Sequence, residues 1–372
     1  MAKNGKILLL AMAMGVALSG NAQTTQKLVA AKHNEYGLVY SLPKTHFRIE
    51  VEAELTVKKR GEYYNYAQKY LGTSDVVTED SQSWTLKGVR VTSYGVATKG
   101  NEYLMQFKAG TMPYLVVGEN GMPLAINTES VKVEEWEAKE GTPLTASVLD
   151  NNGYASALSG ELLASGSLAK RAENAANQIY KIRESRTNYA IGEADQMPPD
   201  GASMKLILDE LSRQETALMA MFLGTTQTAT AVRTFDYVPG DKDSKSVLVR
   251  ISDFNGISTA DDLSGEPLYL TLKIEERGKL PLDEKGLERV LPKGAVMYNI
   301  PGRARLTLTY EGKEWLSESF DVAQYGVEYG LNPLLFTDKK APSYVKFSAI
   351  TGGIIEMGLV PAEEASAITG KK

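Results

Sequence analysis

The chain has 372 residues, 41 Lys and Arg against 46 Asp and Glu, a formal net charge of −5, and no cysteine. An acidic chain without a basic run is a poor match for nucleic acid or for an anionic membrane surface. Lacking cysteine, it can have no disulfide, thiolate nucleophile, thiolate metal site or acylated cysteine, so its stability must come from packed cores.

Residues 1–22 read as a signal peptide. Lys3 and Lys6 make a positive start, Ile7 to Leu18 an apolar run, and Gly20-Asn21-Ala22 a small-residue cleavage site. A spanning helix needs about 20 apolar residues, which this run lacks. Cleavage after Ala22 is expected to leave a soluble protein without a transmembrane anchor, in the periplasm or outside the cell.

Residues 23–153 read as an N-terminal β domain with one short helix. Phe47, Ile49, Val51, Ala53, Leu55 and Val57 alternate with His46, Arg48, Glu50, Glu52, Glu54 and Thr56. That period of two predicts a long strand with one apolar and one wet, acidic face. Tyr63, Tyr66, Ala67, Tyr70 and Leu71 fall at helical spacing and Gly72 is placed to end the helix. Strand patterns follow at Val89 to Val91 and Tyr103 to Phe107, and Asn120-Gly121 predicts a tight hairpin turn before Ile126.

Residues 154–224 read as an antiparallel helical hairpin. Ser167 can cap a first helix ending before Gly192, with Ala172, Ala175, Ala176, Ile179, Ile182 and Tyr189 as its inner stripe. Asp200 can cap a second, with Met204, Ile207, Leu208, Leu211, Leu218 and Phe222, ending at Gly224. Residues 225–372 return to period two, at Val247 to Ile251, Leu268 to Ile274 and Ala304 to Tyr310, and read as a C-terminal β domain. The expected fold class is α+β, mainly β, with two antiparallel β-sandwich-like domains flanking the helical hairpin. Tyr36 to Pro43 echoes Tyr325 to Asn332. Duplication, equivalent places in two sheets, and coincidence all fit that echo.

The segments Val39-Tyr40-Ser41-Leu42-Pro43-Lys44, Tyr66-Ala67-Gln68-Lys69-Tyr70-Leu71, Leu124-Ala125-Ile126-Asn127 and Gln196-Met197-Pro198-Pro199-Asp200-Gly201 together carry a likeness. Through them the chain resembles the bacterial exported domain-of-unknown-function family 4831, over roughly Tyr36 to Val360. These motifs are structural, so the resemblance implies export and this architecture and supplies no activity.

Chemistry-bearing candidates are few. His33 and His46 are the only histidines, and neither has a triad-like setting. Ser41-x-x-Lys44 and Ser167-x-x-Lys170 occur without an accompanying Lys-Thr-Gly, at the frequency chance allows. Glu50, Glu52 and Glu54 share a strand face at about 7 Å spacing, the arrangement a glycoside hydrolase could draw on, or simply a soluble face. Asp253, Asp261, Asp262 and Glu266 surround Asn255-Gly256 in a loop that fits no calcium motif. Tyr63, Tyr64, Tyr66 and Tyr70 are the candidate ligand-binding residues, since tyrosine offers a flat apolar face with a polar tip.

No catalytic residue, metal ligand or cofactor is assigned. The expected function is a non-enzymatic binding or assembly module for an envelope protein or glycan. The alternative is a carboxylate-dependent hydrolase acting on envelope polysaccharide. Exposed aromatics around Tyr63 to Tyr70 would favour a glycan, an apolar outer stripe on the helices a protein, and a cleft with two facing carboxylates the hydrolase.

Overall fold

The computed structural model describes residues 24–27, 38–106, 114–132, 136–150, 158, 160, 166–338 and 341–361. The expected signal peptide, His33, and most of 154–165 lie outside them. The strands are β1 (Thr24–Lys27), β2 (Leu38–Lys59), β3 (Ser81–Gln106), β4 (Leu115–Val117), β5 (Pro123–Ile126), β6 (Thr225–Tyr237) and β7 (Ser244–Ser252). The second half adds β8 (Gly256–Ser258), β9 (Glu266–Glu276), β10 (Val296–Tyr310), β11 (Lys313–Leu331), β12 (Ser343–Phe347) and β13 (Ile354–Leu359). Among the described residues the helices are α1 (Ala67–Leu71), α2 (Leu168–Ile191), α3 (Gly201–Leu223) and α4 (Leu334–Thr337). The protein is mainly β and its sheets are antiparallel.

Three sheets form, with strand orders β1-β3-β2-β6, β11-β10-β9-β7-β8 and β13-β12-β5-β4. The first two face one another across one core. Phe47, Ile49, Val51 and Ala53 of β2 meet Leu268, Leu270 and Leu272 of β9, and Ala304, Leu306 and Leu308 of β10, all fully buried. Burial of each Leu, Ile, Val or Phe is worth about 1.5–3 kcal/mol. Each strand alternates, so its other face is polar.

A second cluster lies further up β2, where Tyr40 and Leu42 pack with Tyr103, Ile126, Val296, Phe336 and Val345 under the third sheet. Tyr329 and Leu331, the echoes of Tyr40 and Leu42, pack against this same cluster. The third cluster is helical. Tyr63 and Ala67, just past the end of β2, meet Ala172 to Ile182 of α2 and Ala217 to Phe222 of α3. Ser167 caps α2 by accepting from the Lys170 N–H at 3.3 Å, and Asp200 caps α3 through the Ser203 N–H at 2.8 Å. α2 stops at Gly192, whose φ of 79° suits glycine. Among the described residues no helix is long and apolar enough to cross a membrane.

Backbone accounting explains how β2 reaches β11. Pairing with β6 ends at Phe47 opposite Tyr237, which leaves the edge of Thr45 without a strand. Gln324 of β11 fills it, its side-chain oxygen accepting from the Thr45 N–H at 2.9 Å and its nitrogen donating to the Thr45 carbonyl at 2.7 Å. The buried Thr45 hydroxyl accepts from the Ala323 N–H at 3.0 Å and donates to the Ile350 carbonyl at 3.2 Å. Buried polar groups are rarely left unpaired, so this joint carries weight beyond its size.

Thr45→Val keeps the shape and deletes the hydroxyl, orphaning the Ala323 N–H and the Ile350 carbonyl. It is expected to destabilise by about 1–3 kcal/mol, seen as a lower urea midpoint at unchanged slope. Thr45→Ser should retain most of the stability. A Val variant with the wild-type midpoint would show that the joint is not a stabilising element.

Candidate functional site

The outward face of the first sheet carries a connected set of charged side chains. Cross-strand register places Glu50 of β2 opposite Arg90 of β3, and Arg48 opposite Asp236 of β6. Opposed charges at paired positions attract, which favours this register. Glu50 accepts from the Arg90 guanidinium, Lys139 pairs with Glu52, and Lys87 reaches Glu54 at 2.6 Å. Between them lies an open depression of about 370 Å³ lined by Glu50, Glu52, Gly88, Val89, Arg90, Lys139 and Val232.

A strap formed by residues 136–150 crosses this face. Trp136 lies over the Arg48 guanidinium at 4.3 Å, with Tyr94 against the same guanidinium at 4.6 Å. The Lys139 N–H donates to Glu50 at 3.1 Å, and Arg90 also donates to the Glu137 carbonyl at 2.8 Å. Further along, the Thr230 N–H donates to the Thr142 carbonyl at 2.9 Å, Gln227 donates to the Thr145 carbonyl at 2.7 Å, and Ser147 meets Thr225 at 2.8 Å. The strap thus runs antiparallel beside β6 and covers an edge that would otherwise invite another chain. Gly141 permits the close approach, since a Cβ there would fall 2.1 Å from the Thr230 carbonyl oxygen.

The strap overturns the expectation of a wet glutamate row at its first member. The Glu50 side chain is only 5% exposed and that of Glu52 14%. Burial alone pushes the Glu50 carboxyl up, but the Arg90 guanidinium, the Lys139 amide and the Lys139 ammonium outweigh it and hold the group below its ordinary value. A general acid for glycoside cleavage needs the opposite shift. His46 packs edge-on against Tyr94 at 5.6 Å, and burial pushes its imidazole down while Asp236 partly restores it.

The four candidate tyrosines are held differently. Tyr63 is 1% exposed and packs edge-on against Phe222 of α3 at 5.4 Å. Tyr66 and Tyr70 are half-buried against the helical cluster and stack on one another at 6.2 Å. Tyr64 is half-buried under the Arg60 guanidinium at 5.0 Å. The stripe Tyr63, Tyr66 and Tyr70 therefore faces the two long helices.

α2 and α3 are tied by Glu215, which accepts from Arg183 at 2.7 Å and pairs with Arg186. Beyond these residues the pair leaves the core. Tyr189, Ile191, Met204, Leu206, Ile207 and Leu208 belong to none of the three apolar clusters. Ile191 is 59% exposed, Leu206 71%, and Met197 in the connecting turn 48%.

The acidic loop segments after β7 and β8 are organised internally. Asp262 accepts from the Ser264 N–H at 3.1 Å, the Ser264 hydroxyl at 2.6 Å and Asn255 at 3.4 Å. Among the described residues no group of three or more His, Asp or Glu side chains is arranged to hold a metal ion. Sequence reasoning placed Arg48 on the wet face of the strand and missed Arg90, Trp136, Lys139 and Asp236 as its companions there. The one local signal was Arg90 between Val89 and Val91, which places it outward.

The family model described as Domain of unknown function (DUF4831) matches residues 36–355, most of the chain. No curated protein and no solved structure matches it.

Glu50 generates a pH prediction. Its folded value lies below the ordinary 4.5, so its contribution to stability is complete above that value and fades as pH falls through the folded one. Glu50→Gln is expected to cost about 1–3 kcal/mol at neutral pH. The gap between wild-type and variant denaturation midpoints should close on acidification. A gap independent of pH would mean that the Glu50 charge contributes nothing.

Proposed function

The chain belongs to the DUF4831 family, and we propose that it works as an exported, non-enzymatic assembly module of the cell envelope with a protein as its partner. In this reading α2 and α3 form a helical hairpin whose outer end engages that partner. The observation that carries it is the exposure of Ile191 and Leu206, at 59% and 71%, at the end of the two helices that lies away from their packed cluster. Apolar residues grouped on an exposed helical surface fit a protein groove better than a polar glycan.

Two further observations support a protein over a glycan or a hydrolytic substrate. Tyr63 is spent on the helical core, which removes one member of the aromatic platform a sugar would stack on. Both carboxylates of the outer depression are ion-paired, Glu50 with Arg90 and Glu52 with Lys139. Glu50, held below its ordinary value, has no proton to give a leaving group at neutral pH. Export rests on the Lys3 to Ala22 leader.

A photo-crosslinking side chain installed at Ile191 or Leu206 in the native cell envelope tests this reading. It should yield one discrete protein adduct, absent when the probe is at exposed Glu119. Leu206→Glu should abolish the adduct from position 191 with no change in thermal midpoint, because the side chain is at the surface. Polysaccharide adducts, or equal labelling from Glu119, would reject a protein partner at the helices.

A further inference from the structure

Two neighbouring loops at one end of the second sheet hold large apolar side chains out in solvent. Phe254, between β7 and β8, is 84% exposed, and Leu263, between β8 and β9, is 82% exposed. These loops are built to stay as they are. Arg250 donates to the Ala260 carbonyl at 2.8 Å and to the Gly265 carbonyl at 2.9 Å, and the Ser264 and Ser252 hydroxyls meet at 3.1 Å. Asn255 ties one tip to the other through Asp262. Asp253, Asp261 and Asp262 flank the two tips, and the only nearby guanidinium among these contacts, Arg250, is turned to backbone carbonyls. The result is a rigid apolar prong with an acidic collar.

The opposite end of β9 carries the complement. A depression of about 300 Å³ opens where β10 bulges between Ile300 and Gly302. Its wall includes Ile300 and Pro301, and Gly302 beside them lets the strands pack closely, since a Cβ there would fall 2.5 Å from the Tyr325 carbonyl oxygen. Arg277, Lys279 and Arg303 line it, against two carboxylates, Glu276 at 3.8 Å from Lys279 and Asp321 at 3.2 Å from Arg303. The balance is positive. A cavity of about 150 Å³ already holds a benzene molecule, so this one has room for a phenyl ring with an aliphatic neighbour.

We propose that the protein associates with copies of itself head to tail, the Phe254 and Leu263 tips of one copy seating between Ile300 and Pro301 of the next. Asp253, Asp261 and Asp262 then face Arg277, Lys279 and Arg303, a pairing that sets orientation as well as attraction. Charge selects a second copy over an anionic bilayer, which the acidic collar would repel. Because prong and socket lie at opposite ends of one strand, the contact is heterologous, and it propagates unless rotation closes a ring. The inference is independent of the outer end of α2 and α3.

Sedimentation velocity on the purified protein over a concentration series tests it. Wild type should show a sedimentation coefficient that rises with concentration and falls back with added salt. Phe254→Ser with Leu263→Ser removes the prong, and Lys279→Glu with Arg303→Glu removes the socket. Each double variant alone should lose the concentration dependence while keeping its thermal midpoint. Mixed together they should form a one-to-one complex and nothing larger, since one retains a socket and the other a prong.

Charge exchange gives a second reading should the socket variant unfold. Asp253→Lys with Asp261→Lys should abolish self-association, because it sets like charges against Arg277, Lys279 and Arg303, while its intact socket still takes up the wild-type prong. A wild-type protein that stays monomeric, or association that persists without the prong, overturns the proposal. So does prong-dependent binding to phosphatidylglycerol vesicles without self-association, which would make a membrane the occupant.

Discussion

Alternation of side chains along β2 ties three apolar clusters to one piece of backbone. Its first residues, Tyr40 and Leu42, enter the cluster under the third sheet, and Phe47 to Ala53 enter the core between the two larger sheets. Its end leads directly into Tyr63 and Ala67 of the helical cluster. A strand of 22 residues spans about 70 Å, and a shift of one residue would turn every buried side chain outward. The whole architecture therefore depends on a register that β3 and β6 must both hold. The amide of Gln324 continues that role where β6 stops.

The same alternation concentrates charge on the other face, and that face shows how the protein disposes of it. A row of carboxylates spaced along a strand would repel itself in a dry setting. Here Arg90 lies opposite Glu50 in register, and the strap brings Lys139 over both Glu50 and Glu52. Partial burial then strengthens the attraction instead of neutralising the carboxyl. The carboxylates of the depression that results are ion-paired, Glu50 with Arg90 and Glu52 with Lys139. Its chemistry is that of a cover fastened to a sheet, with Glu50 held ionised by Arg90 and Lys139.

Local signals were legible in the sequence and distant ones were not. Ser167, Asp200 and Gly192 marked helix ends because a cap is made by residues three or four apart. The alternation of Phe47 to Val57 marked a strand for the same reason. Asn120-Gly121 marked a turn, although only Gly121 takes a positive φ, at 78°, and the connection is longer than a two-residue hairpin. Nothing local says that β2 pairs with β6, some 180 positions later. Residues 139–147 show no period and read as loop, so the strap and the burial of Glu50 were invisible. Tyr63, Tyr66 and Tyr70 gave a correct stripe without its partner, since Phe222 of α3 lies far along the chain.

Exposed apolar groups on rigid supports are informative because the chain had cheaper options. A flexible loop can fold Phe254 against its own sheet, but hydrogen bonds from Arg250, Asn255 and Ser264 hold the tips away from it. A frayed helix end can hide Ile191, yet α2 runs to that residue and closes on Gly192. The two exposures differ in what they can organise. If copies join through the ends of β9, successive copies are offset by at least the strand's own length, about 35 Å for its 11 residues. Each copy would then display one α2–α3 pair at a fixed interval. A partner that grips single helices weakly would bind such an array far more tightly than one copy, since later contacts form at high local concentration. On this reading self-association and partner binding would use separate parts of the molecule, and their combination would turn a modest apolar tip into an effective docking surface.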